Sequence, residues 1–519
     1  MARNMTGTNS CTSIPTLKFK GKEYDTPQAK AEIIAQNIAE TSSNRNYSDT
    51  FNKHRKEIQE TWIQRNLEKE HEIIDEDMKK LSQDFAIHEL HQSIRLSKNG
   101  SAPGQDNITY ELLKHLPKNA ESQLLNFYNK LWKEEKIVPT WKESIILPFH
   151  KPGMDRSLPS SYRPISLTDT LCKINERLIT TRLIYYLESK NILNKYQSAY
   201  RKNRCTLDHL IRLHDHILRN INNKQATIAI FFDFSKAFDM LWKEGLMHKI
   251  EEIGIRGKLA NWIRDFLTDR SFRVEINGCL SQKYGLENGT PQGSVISPIL
   301  FLLMINDFPS TVTSTETSLF ADDSAIWRSG RNMENIQKQL QLDIDKIKKW
   351  CDTWGFKLNK EKTVSIVFSK NYLHRKEKLH MKIDGRDITT VTSAKFLGMI
   401  FDQQLNWNKH IENIVENCKK KINLIRSLTG HQWGAGKQSI MKIYRTLIRP
   451  KMEYGMELFH TAIKSAWRNL EIIQSTCLRL ACGAMCSTAV DAVQQECGEP
   501  PIKFINSEEN EQFCVIHQK

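Results

Sequence analysis

The chain has 519 residues, 39% of them hydrophobic and 26% charged, with a formal net charge of +15; this is the composition of a soluble globular protein large enough for about two to four subdomains. It excludes a transmembrane helix and a secreted disulfide scaffold: the longest strongly apolar stretch, 295–305, is broken by Ser297-Pro298, residues 1–20 lack a signal-peptide apolar region, and eleven cysteines are scattered without pairing, which points to an intracellular setting, nucleus or cytoplasm. The excess of Lys and Arg, 75 against 60 acidic residues, suits a polyanionic partner, although a plain basic surface explains it equally well.

In chain order, residues 1–20 carry few apolar anchors and are expected to be disordered; 25–40 is expected as a short helix around Ala31-Glu32-Ile33-Ile34. Residues 55–98 are charged and helical in pattern, up to the turn cluster Ser101-Ala102-Pro103-Gly104-Gln105-Asp106. Residues 108–135 read as a helix pair, 144–149 as a strand before a Lys-, Pro- and Gly-rich loop, and 168–189 as a helix. The continuous apolar run from Ala226 to Phe232 has the character of a buried strand, and 236–246 is expected to be helical. Phe272-Arg273-Val274-Glu275-Ile276 alternates and leads into Asn277-Gly278, a strong hairpin signal. A second tight hairpin is expected with Asp322 and Asp323 at its tip, between Leu319-Phe320 and Ala325-Ile326-Trp327. Ile336, Leu340, Ile344, Ile347 and Cys351 fall at helical spacing. Residues 364–368 read as a strand, and Asp384-Gly385 marks another hairpin turn. After about residue 405 the strands stop, and Ile411, Ile414, Val415, Cys418, Ile422 and Ile425 form a helical stripe. The outline is a mixed-sheet domain followed by a helical one, without internal repeats.

The chemistry concentrates in three carboxylates. Asp233 ends the run 226–232, and Asp322-Asp323 follows another short apolar run, so all three should sit at strand ends. Taken alone, Asp233 suits a helix N-cap, and Asp239, off the strand, suits a structural role. Adjacent carboxylates at a hairpin tip repel unless a metal cation or a Lys or Arg side chain holds them. Carboxylates that converge from two strands can hold two Mg²⁺ ions for in-line phosphoryl transfer. In a basic chain this suggests nucleotide chemistry on a nucleic-acid strand. Between the acidic segments lies Thr290-Pro291-Gln292-Gly293-Ser294, by itself an ordinary turn. Cys477, Cys482, Cys486 and Cys497 are spaced by five, four and eleven residues with no His among them, which fits core thiols better than a zinc site.

The ordered set of segments is more specific than any one of them. It comprises Ser101 to Gly104, Leu147 to Lys151, Ser161-Tyr162-Arg163-Pro164-Ile165-Ser166-Leu167, Gln197 to Arg201, the Asp233 segment, Pro291 to Ser294, Phe320 to Asp323, Asn359 to Thr363 and Lys395 to Gly398. Over about residues 80–500 it resembles the reverse transcriptase of non-LTR (LINE-type) retrotransposons, in particular the Jockey-like group. The resemblance implies an α+β right-hand polymerase: an N-terminal extension 1–79, fingers and palm 80–401 (core about 130–401) with a mixed, largely antiparallel sheet, and an all-α thumb and extension 402–519. It implies an RNA-directed DNA polymerase, a nucleotidyltransferase that adds deoxynucleotides to a DNA primer on an RNA template, with two Mg²⁺ (or Mn²⁺) as cofactors and no membrane.

Residue by residue, the resemblance makes Asp233 and Asp322 the metal ligands, with Asp323 close by and the Phe234 carbonyl as a further ligand. Lys362 would protonate the leaving pyrophosphate. Lys151 and Arg163 would grip the incoming triphosphate, and Gln292 and Gly293 would line the nucleotide pocket. Phe238, five residues after Asp233, would exclude the ribose 2′-hydroxyl; its plainer role is a core aromatic. Phe396, Leu397 and Gly398 would support the primer end. One departure stands out: Ala199 replaces the family's usual Gly in Gln197-Ser198-Ala199-Tyr200-Arg201, which would strain a residue of positive φ. Residues 1–80 are too few for the endonuclease that usually precedes this polymerase, so a polyprotein fragment or truncated copy is expected, with an endonuclease partner in cis or in trans. The rival expectation is a decayed or domesticated copy that binds RNA without catalysis.

Overall fold

The computed structural model describes residues 14–68, 76–430, 434–459 and 462–504. The protein is α+β and divides into two compact units, each built from several chain segments.

The first unit comprises residues up to 200, 234–312 and 345–359. Its sheet runs in the order Tyr162–Leu167, Glu143–His150, Ser271–Ile276, Cys279–Leu280, with Tyr284–Gly285 also paired to the third strand. Only the pairing of Glu143–His150 with Ser271–Ile276 is parallel. Asn277 and Gly278 both take positive φ between Ile276 and Cys279, the turn their sequence predicts. The helix Pro27–Ser42 starts with Thr26 accepting from the Ala29 amide and with proline at its first position. Its Ala31, Ile34 and Ala35 bury against Ile146, Phe272, Val274 and Ile276.

Three expectations fail in this unit. Residues 17–19 are not disordered: Leu17–Phe19 pairs with Lys22–Tyr24 across a turn in which Lys20 and Gly21 both have positive φ. Leu17 is fully buried in the same core, which anchors the strand; residues 1–13 lie outside the described residues. Nor is 236–246 one helix. Lys236 is left-handed, residues 235–239 form a turn, and the helix begins at Lys243. The carbonyls of Phe238 and Leu241 accept from Thr290 and Gly289, so they are spent on a neighbouring loop rather than on a helical ladder. The strain expected at Ala199 is also absent, because the left-handed residue is its neighbour Tyr200.

The second unit comprises residues 201–233, 313–344 and 360 onward. Its five-stranded sheet has the order Thr389–Thr390, Val364–Phe368, Ala226–Phe232, Asp323–Gly330, Glu316–Phe320. Ala226–Phe232 is buried at every position and antiparallel to both neighbours. The helix Thr206–Asn222 covers the sheet through Leu210, Leu213 and Ile217. A hairpin, Ser393–Phe396 with Met399–Asp402, joins the same core. The helix Asn408–Ser427 adds Ile411, Ile414, Cys418, Ile422 and Ile425, five of the six stripe residues, as buried positions. The helices Lys464–Cys482 and Val490–Cys497 pack beyond it. Cys477 and Cys497 are buried free thiols there and Cys486 is exposed; among the described residues no helix is long and apolar enough to cross a membrane.

Candidate active site

Asp233 is the first residue past the buried strand Ala226–Phe232. On one side that strand pairs Phe232 with Ser324, so one further step along the register sets Asp233 beside Asp323. On the other side Phe231 pairs with Val364, and the same continuation brings up Lys362. The Lys362 Nζ indeed stands 3.7 Å from the Asp233 carboxylate. Asp322 occupies the two-residue loop between Phe320 and Asp323, where Ala321 carries a positive φ of 53°. That loop turns both carboxylates toward the end of the central strand.

The electrostatics follow from this crowding. Burial and the charge of Asp233 push the Asp322 carboxyl up from its ordinary range. Asp323 is pushed up to about 6, first by desolvation, then by Asp322 and Asp233, while Lys395 opposes the shift. Asp323 is itself exposed, so the protein around it crowds it without closing it off. Among the described residues no three His, Cys, Asp or Glu side chains already form a cage for a metal ion. The donor set still fits a hard dication: it offers carboxylate oxygens only, and a cation among them would relieve the repulsion that raises both carboxyls.

A separate group gathers in the first unit. The Gln292 side chain donates to Asp239 at 2.6 Å, and the Gln292 carbonyl accepts from the Ser166 amide at 2.7 Å. Gly293 has φ 124°, and a Cβ there would stand 2.6 Å from the Ser166 carbonyl oxygen, so only glycine fits. Ser166 lies on the strand Tyr162–Leu167, which also carries the exposed Arg163. Lys151 continues the neighbouring strand, with its amide bonded to the Ser161 carbonyl and its Nζ to that of Ser160. Phe238 stacks on Phe301 with ring centroids 4.1 Å apart, and its carbonyl holds the Thr290 amide. Phe234 bridges to Leu358 and its ring packs among Phe308, Trp350 and Phe356. Phe396, Leu397 and Gly398 form the turn of the second unit's hairpin.

Sequence reasoning missed Glu176. Its fully buried carboxylate accepts from the Ser294 hydroxyl and from the amides of Val295 (2.6 Å) and Ile296 (3.3 Å), at the start of the helix Ser297–Met304. It thereby fixes the loop that carries Gln292 and Gly293. The signal was present: Glu176 stands on the apolar face of its helix, four residues after Cys172 and three before Ile179, where an unpartnered charge would be costly.

Residues 149–401 match the family model described as "Reverse transcriptase (RNA-dependent DNA polymerase)". Over those residues the chain is similar to reverse transcriptases. Its relatives include proteins of Drosophila mobile elements named as RNA-directed DNA polymerases. It is 28% identical over 400 residues to the probable RNA-directed DNA polymerase from transposon BS of Drosophila melanogaster, covering 76% of this chain and 44% of the relative. It is 28% identical over 390 residues to the RNA-directed DNA polymerase from mobile element jockey of the same species, covering 74% and 42%. The chain therefore spans less than half the length of these two relatives. Among solved structures, telomerase from Candida albicans in complex with a telomeric RNA fragment aligns with a TM-score of 0.38 at 13% identity, over 73% of this chain and 71% of that one.

Proposed function

We propose that this chain is an RNA-directed DNA polymerase that adds deoxynucleotides to a DNA primer 3′ end on an RNA template. The observation that carries the proposal is the convergence of Asp233, Asp322 and Asp323 at one end of the second unit's sheet, with Lys362 on the opposite flank of Asp233. Asp233, Asp322 and Asp323 are the residues that would hold two Mg²⁺, or Mn²⁺ in their place, with the Phe234 carbonyl as a further ligand. When bound, the metals supply Lewis-acid activation of the primer hydroxyl and neutralise triphosphate charge. Lys362 gives a proton to the pyrophosphate as it leaves. Arg163, a planar fork suited to phosphate oxygens, and Lys151 grip the triphosphate. Gln292 and Gly293 line the nucleotide pocket, where the glycine lets the backbone come close. Phe238, braced by Phe301, excludes a 2′-hydroxyl. The Phe396–Gly398 turn supports the primer end.

On this reading residues 80–401 serve as fingers and palm and 402–519 as thumb and extension, and an endonuclease acts with the polymerase in cis or in trans. The names of the relatives and the net charge of +15 support the nucleic-acid partners. The test is primer extension on an RNA template with Mg²⁺ and labelled deoxynucleotides, wild type beside Asp322→Asn. Extension by the wild type alone is expected, with the variant down by at least about 100-fold. Extension by both would remove the catalytic assignment. Extension by neither, from a folded protein that binds RNA, would favour an RNA-binding protein without catalysis.

A further inference from the structure

The turn between Ser393–Phe396 and Met399–Asp402 takes a conformation its sequence resists. Both central residues are left-handed, Leu397 at φ 45° and Gly398 at φ 90°. Glycine adopts this freely; leucine does so only against a clash between its Cβ and the backbone. Something outside the hairpin must hold it.

Tyr454 does. Its hydroxyl donates to the Leu397 carbonyl at 2.5 Å. With its one proton committed, it accepts from the Thr206 hydroxyl at 2.9 Å. The tyrosine ring closes over Gly398, where a Cβ would come within 3.0 Å of it. The next residue, Gly455, also has positive φ, and a Cβ there would stand 2.4 Å from the Met399 sulfur. The Tyr454-Gly455 pair therefore fits both residues that follow Leu397. The hairpin also packs Phe396 on Phe231 with ring centroids 5.0 Å apart, two residues before Asp233. It carries Lys395, whose charge Asp323 feels. A shift of the turn would move groups beside the carboxylates.

We propose that Tyr454 is a positioning residue: it pins the Phe396–Gly398 turn through the Leu397 carbonyl, with Thr206 orienting its hydroxyl, and so sets where the primer 3′ end rests. The role in primer placement rests on the polymerase reading above; the pinning itself does not.

Two measurements on the full chain test it. In primer extension, Tyr454→Phe keeps the ring and loses the hydroxyl. The KM for primer–template rises about three- to ten-fold, the magnitude of one lost hydrogen bond, while the KM for deoxynucleotide stays unchanged. In a Leu397→Gly background, where the turn is no longer resisted, the same substitution has a smaller effect. An unchanged primer–template KM, or an equal effect in both backgrounds, overturns the proposal. The second measurement is hydrogen exchange over residues 393–402, which needs no activity. Tyr454→Phe speeds it locally while overall unfolding stays cooperative; unchanged exchange overturns the pinning. If the wild type extends no primer, the polymerase reading falls, and exchange still decides whether Tyr454 pins the turn.

Discussion

Asp323 holds its proton up to about pH 6 because burial and the charges of Asp322 and Asp233 all disfavour its ionised form. Unfolded, it would titrate near its ordinary 3.8. Between those values the folded chain binds more protons than the unfolded one, so stability falls as pH rises from 3.8 to about 6. The contribution is fully present below that window and lost above it. Thermal unfolding across pH should therefore show a flatter profile for Asp323→Asn, with the variant the more stable at pH 7 without metal. Millimolar Mg²⁺ should raise the wild-type Tm at pH 7 and raise that of the variant less; equal rises would separate Asp323 from any metal site. Phe238 gives a second test at this scale. Its ring is backed by Phe301 at 4.1 Å and has little room to yield. Phe238→Ala should increase ribonucleotide incorporation relative to deoxynucleotide by at least about ten-fold; unchanged sugar selection would end its assignment as the gate. Individual residues were legible where a pattern exposed them, as Asp233 was at the end of an apolar run. Tyr454 and Thr206 were not, since nothing in their local sequence names Leu397 as a partner.

The loop and helix 291–304 depends on a carboxylate from another element. Glu176 satisfies two backbone amides and a hydroxyl ahead of the helix Ser297–Met304. Glu176→Ala would leave those donors buried without an acceptor, at a cost of about 2–5 kcal/mol. Denaturant unfolding should read that loss, and a change within about 0.5 kcal/mol would mean that the loop finds other acceptors. Elements with strong periodicity were readable in advance. The strand Ala226–Phe232, the stripe of the helix Asn408–Ser427 and the glycine turns at 277–278 and 384–385 all stand where the sequence puts them. The misses share a cause, because distant bonds decide them. The turn at 235–239 exists because Gly289 and Thr290 claim carbonyls that a helix would have used. The hairpin Leu17–Tyr24 exists because Leu17 finds a core built from strands far along the chain.

For the molecule as a whole, composition and charge were compatible with a globular protein and with a polyanionic partner, a plain basic surface explaining the charge equally well, and the order of the motifs resembled one family. They could not indicate which strands would be neighbours, because apolar runs carry no record of their partners. The run 226–232 reads only as a buried strand, and both of its neighbours prove to be antiparallel. Each neighbour also comes from far downstream: Phe232 pairs with Ser324, and Phe231 with Val364. This strand order has a consequence during synthesis. Closing such long loops is slow, and no local contact rewards it in advance. On a ribosome, Ala226–Phe232 must wait with both edges unpaired until the chain has grown past Gly330, and with one edge unpaired until it has grown past Phe368. Over that interval its apolar side chains and open edges are a target for chaperones and for misassembly between nascent chains. The three aspartates thus come together only after the chain has grown past Gly330, well over half of the 519 residues.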